Sequence, residues 1–584
     1  MSFSCTFINS PDPLYSQNQN YGLEFMPTWV FNLSSHIPEE LGYELDFYDT
    51  RFDKVDAIKQ ADVYLFSGIN QDYHTLKKVW LAIKRQYPEA KSIIGGPICW
   101  SFNQVGELHL LDDFDHIFVG DGEDHIESLL EKISSESPLE KVVVNQKRFA
   151  IQNSKAFKLD FFEHHFDKYY GVVIEVSRGC PFLCEFCDIR IMNDNNRAHN
   201  KPVELIVEEI EQVMLRGKQQ FIFACDNLIG DLEWAESLTD HMIEMIERTG
   251  LQPNVYTWLT INVAKHPRLL EKMRRAGFDL LFIGIESFNV NSLIETAKVQ
   301  NTKRMLEEDI QNIQSYGFVI IAGLIFGFDT DTEECFDITL SGLKESGLLS
   351  GDPNFLTALP GTPLYRRMQL SSRLRKTNDL MSSTSTGGVK YETNIKYLIP
   401  RDRLINGFLK FVKNYNNGKF QYERLRKYFQ ILHQHGNYIP MQQGANGFAK
   451  LDKVLLLIFK SPRSLYLLFK RGLMFSSQAL NLYYAIKGFV FVYQQKSIDG
   501  RFAKYQFWLF AWSNYVLKYK NVSDSDFDIG SVEEDYDLNN LIPVNYRETA
   551  QENIPSSKID AQVRATVKGL KALQERNSEQ KARL

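Results

Sequence analysis

Short β-branched or aromatic runs alternate with helical patterns in two successive series along this chain, and that alternation leaves few folds open. In the first series, strand-like runs occupy residues 4–8, 44–48, 63–66, 92–94 and 116–119, with helical segments between them. Such alternation builds a parallel sheet flanked by helices. The runs end in small or turn-forming residues, Ser67-Gly68, Gly95-Gly96-Pro97 and Gly120-Asp121-Gly122. Ligands of open parallel sheets bind outside those carboxyl ends. The second series has strands at 172–176, 220–225, 254–258, 280–286, 319–325 and 354–359, separated by helical patterns at 203–215, 232–248, 267–276, 303–316 and 333–344. Its six repeats fall short of the usual eight, which predicts a partial, TIM-like barrel open on one side, with reactive groups at the strand C-terminal ends.

At 584 residues the chain exceeds one compact core. The expected class is α/β. Residues 1–140 read as a Rossmann-like domain, 141–170 as a connector with a hairpin at 141–151, and 171–390 as the partial (β/α)6 barrel. Residues 391–520 read as a helical domain, with helices at 403–415, 421–433 and 451–473, and 521–584 as an acidic linker and polar tail. The linker reading rests on Asp524, Asp526, Asp528, Glu533, Glu534, Asp535 and Asp537, with no basic residue between 521 and 546. The aromatic stretch 502–519, with Trp508 and Trp512, is expected to pack on the barrel; the alternative is a patch for a greasy substrate or a peripheral membrane contact. A net charge of −7 argues against a nucleic-acid partner, which would select a basic surface. No secretion signal opens the sequence, and the longest apolar stretches, 454–459 and 485–493, are too short to span a bilayer. A cytoplasmic location without a transmembrane segment is expected.

Seven cysteines are present, and three of them, Cys180, Cys184 and Cys187, share a short loop after the first strand of the second series, while Cys5, Cys99, Cys225 and Cys335 are scattered. That distribution does not suit a disulfide framework. Thiolates on one short loop converge on a metal group at little closure cost, and three ligands leave one iron of a four-iron cluster without a protein partner. An open position is what a catalytic metal site requires. Three other readings compete: structural zinc with Cys225 or His199 as fourth ligand, a redox pair of Cys184 and Cys187, and unligated core thiols. The redox pair leaves Cys180 unexplained. The polar neighbours Ser177, Arg178, Glu185 and Asp188 disfavour a plain core site.

The spacing CxxxCxxC, with Phe186 before the last cysteine, resembles the signature of the radical S-adenosylmethionine (SAM) superfamily. Phe223-Ala224-Cys225-Asp226-Asn227 resembles the family's second-strand end, and Gly284-Ile285-Glu286-Ser287 its fourth-strand SAM-contacting segment. GLIFGFDTD at Gly323 to Asp331 resembles the fifth-strand glycine motif, and LTALPGTPLY at Leu356 to Tyr365 the segment after the sixth. The preceding α/β domain, with IIGGP at Ile93 to Pro97 and VGDGED at Val119 to Asp124, resembles the subgroup in which a cobalamin-binding domain comes before the barrel. The resemblance covers roughly residues 3–430; its last part, 405–429, is similar to the helical region after the barrel.

The resemblance implies a 4Fe-4S cluster on Cys180, Cys184 and Cys187, and SAM contacts from Phe186, Asp226, Asn227, Glu286, Ser287 and Gly323. Cobalamin contacts are implied at Ser67, Gly68, Gly95, Gly96, Gly120, Asp121 and Gly122. It further implies reductive cleavage of SAM, an electron from a partner such as flavodoxin or ferredoxin, and a small-molecule or lipid-like substrate. The commonest reaction of the subgroup is methyl transfer to an unactivated carbon; cyclisation or rearrangement is the alternative. In one respect the chain departs from classical cobalamin domains: their DxHxxG motif is absent, so cobalt would lack a histidine ligand. A methylthiotransferase would need a second cysteine trio, and the N-terminal domain holds only Cys5 and Cys99. A non-catalytic metal- or cobalamin-binding protein with structural zinc is the rival from outside the enzymes. Cys225 reads as a core residue, Arg178 and Arg197 as carboxylate or domain contacts, and His199 as a surface residue. The residues that do the chemistry on the substrate are not identifiable from the sequence.

Overall fold

The computed structural model describes residues 2–12, 24–192, 194–295, 306–375, 391–441 and 479–537, with positions 472 and 541. The helix expected at 451–473, position 472 apart, and the polar tail lie outside the described residues.

Seven short strands open the chain: β1 (Ser4–Asn9), β2 (Phe25–Met26), β3 (Glu44–Asp49), β4 (Val63–Ser67), β5 (Lys91–Gly95), β6 (His116–Val119) and β7 (Val142–Val144). Six of them form one parallel sheet in the order β3-β1-β4-β5-β6-β7. The hairpin expected at 141–151 is not there: Val142–Val144 runs parallel to β6 as an edge strand. Three consecutive valines suit an extended edge. The Asn145 amide then donates to the carbonyls of Asp121 and Lys147, turning the chain away instead of back on itself. Alternate residues along the strands face opposite ways. Ile8, Tyr64, Phe66, Ile94 and Ile117 pack with Trp80 and Phe102 of the helices Tyr73–Gln86 and Pro97–Val105. Cys5, Phe7, Leu65, Ile93 and Phe118 face the other way, into a core continuous with that of the barrel.

The second sheet contains β8 (Gly171–Glu175), β11 (Gln220–Ala224), β12 (Asn254–Leu259), β13 (Phe278–Glu286), β14 (Val319–Phe326) and β15 (Ser350–Phe355), all parallel; between β8 and β11, β9 (Ser177–Arg178) and β10 (His199–Asn200) make a small antiparallel ribbon. Its order, β15-β14-β13-β12-β11-β8-β2, is open, as six repeats predicted, but carries a seventh strand: Phe25–Met26 of the first domain pairs with Gly171 and Val172. The two domains are thus joined by a shared strand as well as by sequence. The sixth strand of the series is Ser350–Phe355, ahead of the expected 354–359. Along β11 to β14 the residues facing the helices are buried, while Ile222, Tyr256, Trp258, Phe282, Ile321 and Ile325 alternate with them and stay half-buried on the inner face.

The helices Arg401–Tyr415 and Gly418–Gln434 pack on the barrel helices, the second of them also against Ala479–Gln494 and Arg501–Tyr519. Trp508 and Trp512 are fully buried, so the aromatic stretch is core and offers no outward patch. The acidic segment starts as structure: β17 (Phe527–Ser531) pairs in parallel with β16 (Tyr391–Tyr397), and Phe527 and Ile529 are buried. Alternation explains it, because Asp528 points outward to Arg375 while its apolar neighbours turn in.

Candidate active site

The loop after β8 holds its thiols by backbone bonds that other elements supply. The Gly179 N–H donates to Asp226 Oδ2 at 2.6 Å, and the Cys180 N–H to the Asn195 carbonyl at 2.9 Å. Gly179 has φ +88°, and a β-carbon there would meet the Arg197 carbonyl oxygen at 2.1 Å, so only glycine permits this approach. Cys184 is buried and Cys180 and Cys187 half-buried. Burial first, then the Asp188 charge and the neighbouring Cys184 and Cys180, push the Cys187 thiol well up. Three thiolates this close need a cationic group among them, which is the chemistry of an iron–sulfur cluster. Among the described residues, no three His, Cys, Asp or Glu side chains converge on a single ion. A structural zinc would need a fourth ligand. Its candidate fourth ligands are engaged elsewhere: Cys225 lies against Thr257 Oγ1 and the Trp258 carbonyl, and His199 Nε2 against the Asp194 carbonyl.

Behind the loop lies a buried ionic network. Glu185, between Cys184 and Phe186, receives a two-pronged bond from Arg367, Nε to Oε1 at 2.6 Å and Nη2 to Oε2 at 2.9 Å. Arg367 also reaches Asp329 at 2.7 Å and Glu295 at 3.4 Å, and Arg373 grips Asp329 with both of its terminal nitrogens. Burial would raise the Asp329 carboxyl, but the two guanidiniums outweigh it and hold it well below the usual range. Burial and the Asp329 charge push Glu295 the other way, up to about 8. Its folded pKa thus exceeds its unfolded one, so its contribution to stability is complete below the unfolded value near 4.5 and lost as pH rises through about 8. The thermal midpoint should therefore fall between about pH 5 and pH 8, and Glu295→Gln should flatten that fall; an equal slope in both proteins would refute the assignment.

Of the expected SAM-contacting residues, Phe186 lies on the cysteine loop, Asp226, Asn227, Glu286 and Ser287 lie at or just beyond the C-terminal ends of β11 and β13, and Gly323 lies within β14. Glu286 is buried with φ +64°, a left-handed backbone rare outside glycine, at a bulge where pairing with β14 slips by one residue. Strain of this kind collects at functional sites. Gly323 stands opposite Gly284 in the same register. Asn227 is 1% exposed, and neither side-chain nitrogen nor oxygen has a partner among the described residues. A buried amide left without partners costs about 1–3 kcal/mol, so this one calls for a ligand. Ser287 instead caps the next turn, accepting from the Asn289 N–H. Residues 174–341, which span all of these positions, match the Radical SAM superfamily domain. The chain carries a radical SAM domain.

Between the radical SAM domain and the first sheet lies a cavity of about 720 Å³. Ser67, Gly95, Gly96, Gly120, Asp121 and Gly122 line it from the strand ends of the first sheet. Arg178, Asp188, Asn195, Asp226 and residues 357–360 line it from the cysteine-loop side. Gly68 is not among the lining residues; a β-carbon on it would meet Leu76 and Asp72 instead. None of the described lining residues is a histidine. Arg178 is a domain contact: it bridges Glu175 at the end of β8 to Asp121 and Glu123 of the first domain. Burial pushes the Glu175 carboxyl up, but Arg178, Lys201 and the Asn32 amide outweigh it and keep it charged. Arg197 is exposed and pairs with Asp194. The sequence reading did not find the Arg367 network, nor Arg148, which pairs with Asp121 and reaches Asn195 of the loop.

The radical SAM domain and its surroundings resemble several characterised proteins. Over 387 residues the chain is 27% identical to the hopanoid C-2 methylase of Rhodopseudomonas palustris, a match spanning 65% of this chain and 69% of that protein. Over 209 residues it is 25% identical to the bacteriochlorophyllide d C-12(1)-methyltransferase of Chlorobaculum tepidum, spanning 35% of this chain and 44% of that one. In fold it matches the cobalamin-dependent SAM radical enzyme OxsB, solved with aqua-cobalamin and SAM, at a TM-score of 0.55 and 14% identity over 92% of this chain and 83% of OxsB.

Proposed function

We propose that this protein is a cobalamin-dependent radical SAM C-methyltransferase acting on an apolar, lipid-like small molecule. The observation that carries the reading is the shared cavity, which sets the first sheet's ligand-binding edge directly against the cysteine loop. Within it the buried Trp100 Nε1–H has no protein partner, as expected where a polar ligand belongs. Cobalamin would be held by Ser67, Gly95, Gly96, Gly120, Asp121 and Gly122, without a histidine on its cobalt, and would supply methyl transfer. A 4Fe-4S cluster on Cys180, Cys184 and Cys187 would supply reductive cleavage of SAM at its open iron. The chain's own work is to hold, orient and exclude water. Asp226 fixes the start of the cysteine loop, Asn227 and Glu286 offer polar groups to SAM, and Tyr256, Trp258 and Phe282 give the inner barrel face an apolar wall. That wall, and the methylase and methyltransferase names of the relatives, favour methyl transfer to an apolar substrate over cyclisation or rearrangement. A cytoplasmic setting, with flavodoxin or ferredoxin as electron donor, belongs to the proposal and suits seven free cysteines.

Anaerobic reconstitution with iron, sulfide, SAM, dithionite and hydroxocobalamin should yield 5'-deoxyadenosine and retain cobalamin on the protein. The cobalt EPR signal should lack nitrogen splitting from an imidazole. A β-carbon on Gly95 would meet only the Phe118 carbonyl, at 3.7 Å, so Gly95→Val projects into the cavity without strain. It should weaken cobalamin binding about tenfold or more, at little cost to folding. Undiminished binding by this variant would place cobalamin elsewhere.

A further inference from the structure

The helix Ala479–Gln494 is apolar on both faces, and only one of them is packed among the described residues. Its inner face is built of small residues. Asn481, Ala485, Gly488 and Val492 are the buried positions, and a β-carbon on Gly488 would touch Trp508 and Leu425 at 3.0 and 3.2 Å. Tyr484 and Phe491 pack at the margins of this face against Tyr422 and Phe429, while seven bulky side chains point outward: Leu480, Leu482, Tyr483, Ile486, Phe489, Val490 and Tyr493 are between 41% and 57% exposed. They form one stripe about 20 Å long at about 1.5 Å per residue. In a globular protein a helix hydrophobic all round is normally enclosed on all sides.

Charge indicates what covers the stripe. From Lys453 to Ile498 the sequence has seven basic residues, Lys453, Lys460, Arg463, Lys470, Arg471, Lys487 and Lys496, and no acidic one, in a chain of net charge −7. Lys487 and Lys496 lie on or just beyond the helix itself and are exposed. The other five precede the helix in sequence, interleaved with leucine and phenylalanine. Exposed aliphatic and aromatic side chains beside the exposed Lys487 and Lys496 are what an anionic lipid surface attracts. A second copy of this acidic protein would bring net negative charge but no acyl layer for the stripe to enter. No helix among the described residues is long and apolar enough to cross a membrane, so the contact lies on the surface.

We infer that the outer face of Ala479–Gln494 docks this protein on a bilayer bearing anionic phospholipid. The inference does not depend on the methyltransferase reading, and its test needs no turnover. The full chain should cosediment with vesicles of phosphatidylglycerol and phosphatidylcholine, bind phosphatidylcholine alone about tenfold or more weakly, and lose affinity as salt rises. The double variant Ile486→Glu/Val490→Glu, at two exposed positions, should reduce binding about tenfold or more with an unchanged melting temperature. Three results would overturn the proposal. The protein could stay in the supernatant with both vesicle types. The double variant could bind as well as the parent, which would place any lipid contact in the preceding segment. Sedimentation velocity could show a dimer that the double variant dissociates, with no vesicle binding, which would make a second copy the occupant.

Discussion

Cys184→Ala should give a folded protein that has lost SAM cleavage. Its side chain is buried but stands outside the apolar core that runs through both sheets, so the cost to stability should be about 1 kcal/mol or less. The loss to chemistry is of another kind. Three thiolates must hold a cluster while leaving one iron open, and two cannot hold it without filling the vacancy from elsewhere. After anaerobic reconstitution iron should fall from about four per chain toward none, and 5'-deoxyadenosine to background. Cys225→Ala is the matched control. Its thiol is occupied with Thr257 and Trp258 on the neighbouring strand, so iron and SAM cleavage should survive. If Cys225→Ala lost metal as completely as Cys184→Ala, and that metal proved to be one zinc, the catalytic reading would fall.

The fold was legible wherever local chemistry decides it. Strands alternating with helices fix a parallel sheet, and turn residues after the strands mark where ligands gather. The cysteine spacing was legible for a related reason, since its meaning is contained within eight residues of one loop. Misreadings came where a distant partner decides the outcome. Val142–Val144 looks like one arm of a hairpin until the edge of β6 competes for it. Phe25–Met26 is too short to register as a strand, and only the open flank of β8 makes it one. Phe527–Ser531 sits in an acidic stretch and becomes structure because Tyr391–Tyr397, far upstream in the sequence, pairs with it. At the site the same division holds. Asp226 and Glu286 stand out at strand ends, whereas the bond from Arg367 to Glu185 spans 182 positions and leaves no local sign.

That bond yields the second large effect. Arg367 is the cation on which three buried carboxylates converge, Glu185, Asp329 and Glu295, and all four side chains are at most 5% exposed. Arg367→Met keeps most of the volume and removes the charge, leaving Glu185 buried against no cation in the network. Breaking a buried pair from one side typically costs about 3–5 kcal/mol. Because Glu185 sits between Cys184 and Phe186, the variant should lose cluster as well as stability: less iron retained under a chelator, and a broadened reduced-cluster EPR signal. Two further variants separate positioning from bulk destabilisation. Arg367→Lys keeps the charge but cannot make the two-pronged bond to Glu185, so it should recover much of the stability while the cluster stays labile. Arg373→Met removes the grip on Asp329 but leaves the Glu185 pair intact, so it should lower stability while the cluster holds. Full iron retention and a native EPR signal in Arg367→Lys would show that Glu185 needs only a nearby positive charge, and that the cysteine loop keeps its shape without Arg367.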